Sequence, residues 1–322
     1  MISPLDWGLG HASRLVPIVR QQLEAGHDVH LGCSGLAGEW LQERFPKLPR
    51  HALPDYGITY LPHRDFTSNM RRQAFRIHAI QEREHRALKV LQQTIGFHRI
   101  ISDNRYGLWH RDTENILLTH QLFPKAFPLT AWLLRHYLHR RIARFDQCWV
   151  PDFEDEKKSL SGELSHGAHT LPDVRFIGPL SRFQSVEKAA MCYRTTIMLS
   201  CPEPLRTAWE KHLIALAQRM DEPMALITSN SSFLKHEKRM IGALDVYYNA
   251  ADDDIASIIA SSEKVVCNSG YSTLMDMHAM GLRAEVFATP GQTEQEYLMR
   301  YLASKNMVGY ADASYILKFK RF

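Results

Sequence analysis

Cysteine is scarce and unpatterned. The 322-residue chain carries five, at 33, 148, 192, 201 and 267, an odd number without a C-x-x-C pair. That excludes a disulfide framework and a zinc ribbon, and it fits a reducing compartment where each cysteine is a small buried side chain. Long hydrophobic runs are missing too. No apolar stretch approaches the ~18 residues of a membrane span, and nothing near the start reads as a secretory signal. The expectation is a soluble, cytoplasmic protein. Charge of one sign is also lacking: 39 Lys and Arg against 35 Asp and Glu leave a net charge of +4. No RNA-binding signature or aromatic–basic interleaving is present, so nucleic acid is not an expected partner. Basic residues do gather in "MRRQAFRIHAIQEREHRALK" and "WLLRHYLHRRIARF". Such stretches are either solvated helix faces or contacts to an anionic surface.

What the chain does have is alternation. Short apolar runs at 27–33, 98–104, 115–121, 147–152 and 174–180 read as buried parallel strands, with amphipathic stretches between several of them. The pattern then restarts, with strands at 194–201, 224–230, 244–249, 264–270 and 284–291. Strands alternating with helices imply βαβ units and a parallel sheet covered on both faces. The polar, turn-rich stretch "GPLSRFQSVEKAA" reads as a linker, so we expect two Rossmann-like doubly wound domains, 1–182 and 183–322. Ligands of such sheets bind beyond the C-terminal strand ends, and two of them facing each other would create an interdomain cleft.

The first turn, "LDWGLGHASR", places Gly8 and Gly10 where a helix begins near His11. The glycines permit positive φ and close approach of a ligand, and the helix start favours an anion. A dinucleotide fingerprint would need glycine at position 13, which is Ser13, and a carboxylate ending the second strand, where "HLGCSG" has none. NAD is therefore not expected. His11 either caps the helix or acts as a general base. Asp103 and His120, at other strand ends, are reserve bases, and Asp6 either orients His11 or caps the turn. Arg105 and Arg182 either touch phosphate or carboxylate groups or form surface ion pairs.

A second constellation lies at "CNSGYSTLMDMHAMG". Ser269, Gly270, Tyr271, Ser272 and Thr273 bring small hydroxyls and free N–H groups to a helix start suited to a diphosphate, unless Ser and Thr merely cap the helix. Asp276, one turn on, is placed to accept from ribose hydroxyls. The next strand ends in "TPGQTEQEYL", where Thr293, Glu294 and Gln295 form a second polar helix start. The close acidic groups "DFEDE" and "ADDD" read as capping and surface charge, so no metal site is expected.

These motifs together resemble MurG-type glycosyltransferases, the inverting GT-B enzymes of family 28. The Ser-Gly-x-x-Thr-x-x-Glu and Asp/Glu-Gln helix starts of that family read here as Ser269 to Asp276 and Glu294-Gln295. Its Gly-x-Gly-His turn reads as Gly8 to His11, and its His-containing strand end as His120-Gln121. A closer likeness is to a bacterial group in that superfamily carrying "PLDWGLGH", "ISDNRYGL", "GPLSR" and "SGYST…TPGQTEQEYL". Four departures stand out: Asp276 for Glu, and Cys201, Leu205 and Asn268 where Gly, Gln and Arg are expected. The resemblance implies a GT-B fold and transfer of a sugar from a UDP-sugar, GlcNAc or a related hexose, to a glycan or lipid-linked acceptor. It implies metal-independent inversion with no cofactor beyond the donor substrate. His11, Asp103 and His120 would supply catalysis, and Gly8, Gly10, Asn104 and Gln121 the acceptor and phosphate contacts. It also implies peripheral docking on the inner membrane face through residues 127–145. A nucleotide-sugar hydrolase and a non-catalytic nucleotide-sugar binder are the rival expectations.

Overall fold

The computed structural model describes residues 1–58, 66–125, 128–171, 173–187, 189–219, 221–229 and 236–311. The chain divides between Arg182 and Phe183 into two compact units.

The first unit is a seven-stranded sheet in the order β3-β2-β1-β4-β5-β6-β7. Its strands are β1 (Ile2–Pro4), β2 (Leu31–Cys33), β3 (Arg50–Ala52), β4 (Arg99–Asp103), β5 (Glu114–Leu118), β6 (Gln147–Val150) and β7 (Val174–Phe176). Every pairing is parallel. Helices α1 (Leu9–Glu24), α2 (Gly35–Arg44), α3 (Phe66–Ile95) and α4 (Pro128–Ile142) link the strands. β4 and β5 are buried on both faces except at their first residues, as strands of a covered parallel sheet must be. On α1 the apolar positions Ala12, Leu15, Val16, Ile18 and Val19 form one stripe, packed with Leu31, Trp40, Leu41, Ile101 and Ile116.

The second unit repeats the plan. β8 (Tyr193–Met198), β9 (Met224–Thr228), β10 (Glu237–Ile241), β11 (Leu244–Tyr248), β12 (Ser262–Asn268), β13 (Glu285–Phe287) and β14 (Gly309–Tyr310) form one sheet in the order β10-β11-β9-β8-β12-β13-β14. Helices α5 (Leu205–Ala217), α6 (Asp252–Ala260), α7 (Tyr271–Ala279) and α8 (Thr293–Ser304) complete it. Trp209 meets Phe287 edge-on at 5.3 Å in a core with Leu213, Leu226, Val246 and Val266.

The expected alternation is therefore present, with corrections. The second sheet is not wholly parallel: β10 pairs antiparallel with β11 through a two-residue loop in which Gly242 has φ +61°, the positive φ a tight hairpin demands. β10 is an exposed, charged edge strand, "EKRMI", so it lacked the apolar run by which strands are recognised. α1 starts at Leu9, so Gly10 is helical and Gly8 alone has positive φ, +84°. Cys192 is exposed while the other four cysteines are buried. Phe127 and Asn230, at the ends of two expected elements, lie outside the described residues.

Candidate functional site

In the first unit the groups of interest gather at the C-terminal strand ends. The register opposes Pro4 of β1 to Asp103 of β4, so the end of β4 lies beside the chain entering α1. Gly8 precedes that helix with φ +84°, ψ 174° and no side-chain cap. The conformation is essentially restricted to glycine. His11 follows in the first turn, its side chain 18% exposed. Its Nδ1 lies 3.1 Å from Asp103 Oδ2. Asp103 is fully buried and held by Arg14, with Nε donating to Oδ2 at 2.8 Å and Nη2 donating to Oδ1. Arg14 Nη2 also lies 2.9 Å from His11 Nδ1, and Nη1 lies 3.4 Å from Nδ1 of buried His120.

Electrostatics sort these groups. Burial pushes the Asp103 carboxyl up, but Arg14 and His11 outweigh it and bring it down to about 2. Asp103 is therefore ionised and has too little proton affinity to serve as the reserve base expected of it; it is the group that orients His11. Burial lowers the proton affinity of His11 below its ordinary value, Asp103 opposing and Arg14 reinforcing the shift. A neutral imidazole near neutral pH can accept a proton.

Asp6 does not orient His11. Its Oδ2 accepts from Ser34 Oγ at 2.9 Å and from the Tyr56 N–H at 3.0 Å, and it lies 3.6 Å from Arg105. Nor is Arg105 a surface residue: it is fully buried, donating to Glu84 Oε1 at 2.7 Å and to the carbonyl of Pro4 at 2.7 Å. Arg182 stacks over Trp40, 5.4 Å from the ring centre. Asn104 adopts φ 55° at the end of β4, with Tyr106 OH donating to its Oδ1 at 3.4 Å. Gln121 donates its backbone N–H to Thr119 Oγ1 at 3.1 Å. The acidic stretch after β6 is a loop clasp: buried Asp152 accepts from the N–H groups of Phe153, Leu160 and Ser161.

In the second unit β12 and β13 are parallel neighbours, so α7 and α8 both start at the same sheet edge. The N-cap residues are Gly270 and Gln292, and neither gives a side-chain cap. The N-cap residue of α7 is thus neither Ser nor Thr. Ser272, Thr273, Thr293 and Glu294 are half-buried at these starts. Tyr271 and Asp276 are buried on α7. Ser269 differs from its expected role. It is fully buried and its hydroxyl donates to the carbonyl of Gln295 at 2.9 Å and of Phe287 at 3.3 Å, bracing α8 against the sheet. Gln295 likewise turns inward, its Oε1 accepting the Thr289 N–H at 2.8 Å. Asn268, a departure from the family pattern, ties two loops: Oδ1 accepts the Ser200 N–H at 2.9 Å and Nδ2 donates to Thr289 Oγ1 at 3.4 Å. Cys201 is buried, its thiol pushed up to about 12.

Sequence reading missed Arg14 as the residue that grips Asp103. The signal was its position three residues after His11, on the same helix face. Among the described residues no cluster of three or more His, Cys, Asp or Glu could hold a metal ion, and no helix is long and apolar enough to cross a membrane.

No protein-family model matches the chain, and neither does any curated protein. Solved structures are similar over nearly its whole length. Phytolacca americana UGT2 complexed with UDP-2-fluoro-glucose and pterostilbene is 16% identical at TM-score 0.61, covering 97% of this chain and 85% of that one. The spinosyn rhamnosyltransferase SpnG complexed with thymidine diphosphate is 12% identical at 0.55, covering 98% and 92%. Acinetobacter baumannii MurG is 10% identical at 0.53, covering 97% and 84%. The likeness does not single out the MurG type. At these identities it is one of fold, and the chain has the two-domain α/β architecture of GT-B glycosyltransferases.

Proposed function

We propose that the protein is a glycosyltransferase that moves a sugar, GlcNAc or a related hexose, from a UDP-sugar to a glycan or lipid-linked acceptor, by inverting and metal-independent chemistry. The observation that carries this is the His11–Asp103 pair at the C-terminal edge of the first sheet. With its Nδ1–H given to Asp103, His11 presents Nε2 to an acceptor hydroxyl. Nε2 takes the proton as the hydroxyl oxygen attacks the anomeric carbon, and the bond to the diphosphate breaks. Asp103 then steadies the imidazolium through Nδ1. The N–H groups at the starts of α7 and α8 would receive the charge on the departing diphosphate, a role that needs no metal. Nucleotide and nucleotide-sugar ligands in the solved relatives of the fold support a donor of this class.

His11→Ala should lower turnover by about 10²–10⁴-fold while donor affinity stays within a few-fold, read by steady-state kinetics and calorimetry. Unchanged turnover removes His11 as the base. Rapid, saturating release of free sugar without an acceptor would instead favour hydrolysis, and donor binding without turnover a binding protein.

The acceptor side extends to a lipid surface. Residues 132–137 of α4 are exposed in unbroken succession, Trp132 at 61% and Leu133 at 59%. At 100° per residue they cover the whole helix circumference. The α4 sequence "PLTAWLLRHYLHRRI" contains no acidic residue. Aromatic, aliphatic and basic groups on one exposed helix suit the interface of an anionic bilayer. On this reading the protein docks at the inner face of the cytoplasmic membrane, and flotation with anionic liposomes at low salt should carry it upward. Failure to float would end this part of the reading.

A further inference from the structure

One atom of His11 has two suitors. Asp103 Oδ2 at 3.1 Å accepts a proton from Nδ1, whereas Arg14 Nη2 at 2.9 Å offers one to it. A ring nitrogen does one or the other: with its proton it donates to the carboxylate, without it it accepts from the guanidinium. The first arrangement leaves Nε2 bare and basic. The second puts the ring proton on Nε2 and removes the base. Both suitors are themselves bound together, because Arg14 grips Asp103 through Nε and Nη2 in a bidentate fork. The charged and titratable groups facing His11 are thus Arg14 on its own helix, Asp103 from β4, and His120 after β5.

We infer that Arg14 is a positioning residue that decides where His11 carries its proton. Its fork keeps Asp103 ionised and turned so that Oδ2 takes the Nδ1–H, and its own positive charge opposes a second proton on the ring. The pair is built for this. Arg14 is 2% exposed, so it cannot reach a substrate, yet it contacts His11, Asp103 and His120 together. An isolated Asp103 in that setting would be driven toward its neutral form by burial, and a neutral carboxyl no longer selects the Nδ1–H tautomer. A fork fixes both oxygens, which a point charge such as Lys does not. The placement of the proton stands on this geometry, and its consequence for turnover rests on the glycosyl-transfer reading above.

The test is the ¹⁵N spectrum of the His11 ring across pH, its resonances identified by their loss in His11→Gln. Wild type should show Nδ1–H with bare Nε2 near neutral pH. Arg14→Gln should move the His11 titration and mix the two tautomers, since it removes both the opposing charge and the fork that keeps Asp103 ionised. Arg14→Lys keeps the charge but not the fork, so it should leave the titration in place while mixing the two tautomers. If Arg14→Gln does not fold, Arg14→Lys carries the test. Should the chain transfer sugar, kcat in Arg14→Lys should fall about 10²-fold with the donor KM within a few-fold. A wild-type ring protonated on Nε2, or a titration and tautomer identical in wild type and variants, overturns the inference. Absence of transfer with every donor, while the spectra behave as stated, would overturn the proposed function and leave this one standing.

Discussion

At the residue scale, neighbours in sequence differ sharply in burial and in partners. Ser269 and Thr273 sit four residues apart and both looked like phosphate ligands. The hydroxyl of Ser269 is engaged by two backbone carbonyls inside the unit, whereas Thr273 is half-buried in the first turn of α7. The Phe287 carbonyl also accepts the Ser269 N–H at 2.9 Å. Ser269→Ala should therefore cost about 1 kcal/mol, seen as a lower midpoint in urea, with little direct effect on nucleotide affinity. Thr273→Val should do the reverse, weakening nucleotide binding in calorimetry while leaving the midpoint in place. A weaker midpoint for Thr273→Val with unchanged binding would exchange the two roles.

At the element scale, the long helix α3 is held by its apolar positions, with Ile80 and Leu88 in the core, and also by a close approach of backbone. A Cβ at Gly107, in the loop after β4, would sit 2.2 Å from the Gln81 carbonyl oxygen and 2.8 Å from Glu84 Oε2. A helix carbonyl cannot move aside as a flexible side chain can. The same contact delivers Glu84 to Arg105 and to Tyr56 OH, 2.8 Å away. Gly107→Ala must therefore displace α3, and it should destabilise the protein by about 1–3 kcal/mol, read by denaturant unfolding. An unchanged midpoint would mean that α3 is free to shift. This reason for the glycine in "NRYGL" was not legible in the sequence, because Gln81 lies far from Gly107 along the chain and only the fold brings them together. The helix starts were legible, since they depend on local chemistry: Gly8, Gly270 and the acidic first turn of α6 mark their elements within a few residues.

At the scale of the whole molecule, buried titrating groups set how stability responds to pH, and two of them pull in opposite directions. Burial raises Glu84 from 4.5 to about 7, against the pull of Arg105. It binds its proton more tightly when folded, so its contribution is complete below about 4.5 and is lost as pH rises through about 7. Burial lowers His11 below 6.5, so the unfolded chain takes up the proton first and stability falls as pH drops beneath 6.5. Each group contributes at most about 1.4 kcal/mol per pH unit. Between the two ordinary values the slopes oppose, and the wild type should show a shallow dependence there. Glu84→Gln should expose a clear loss of stability on acidification, and His11→Ala a gain, in urea unfolding at fixed pH values. Asp103, brought down to about 2, adds an acid-side loss only as pH falls toward that value.

Local patterning carries the alternation of strand and helix, the restart of that pattern in the second half of the chain, and the helix starts near Gly8, Gly270 and Thr293. Each follows from periodicity or turn chemistry acting over fewer than about ten residues. The partners of those starts come from packing across the whole fold. Asp103 and His11 are 92 positions apart, and what joins them is the order β3-β2-β1-β4, with Pro4 in register with Asp103. Sheet order and register are settled by packing among all the strands at once, so no single stretch encodes them. The same packing buried Arg14, Arg105 and Ser269, residues whose local sequence reads as polar surface or ligand contacts, and made each of them a brace for its neighbours.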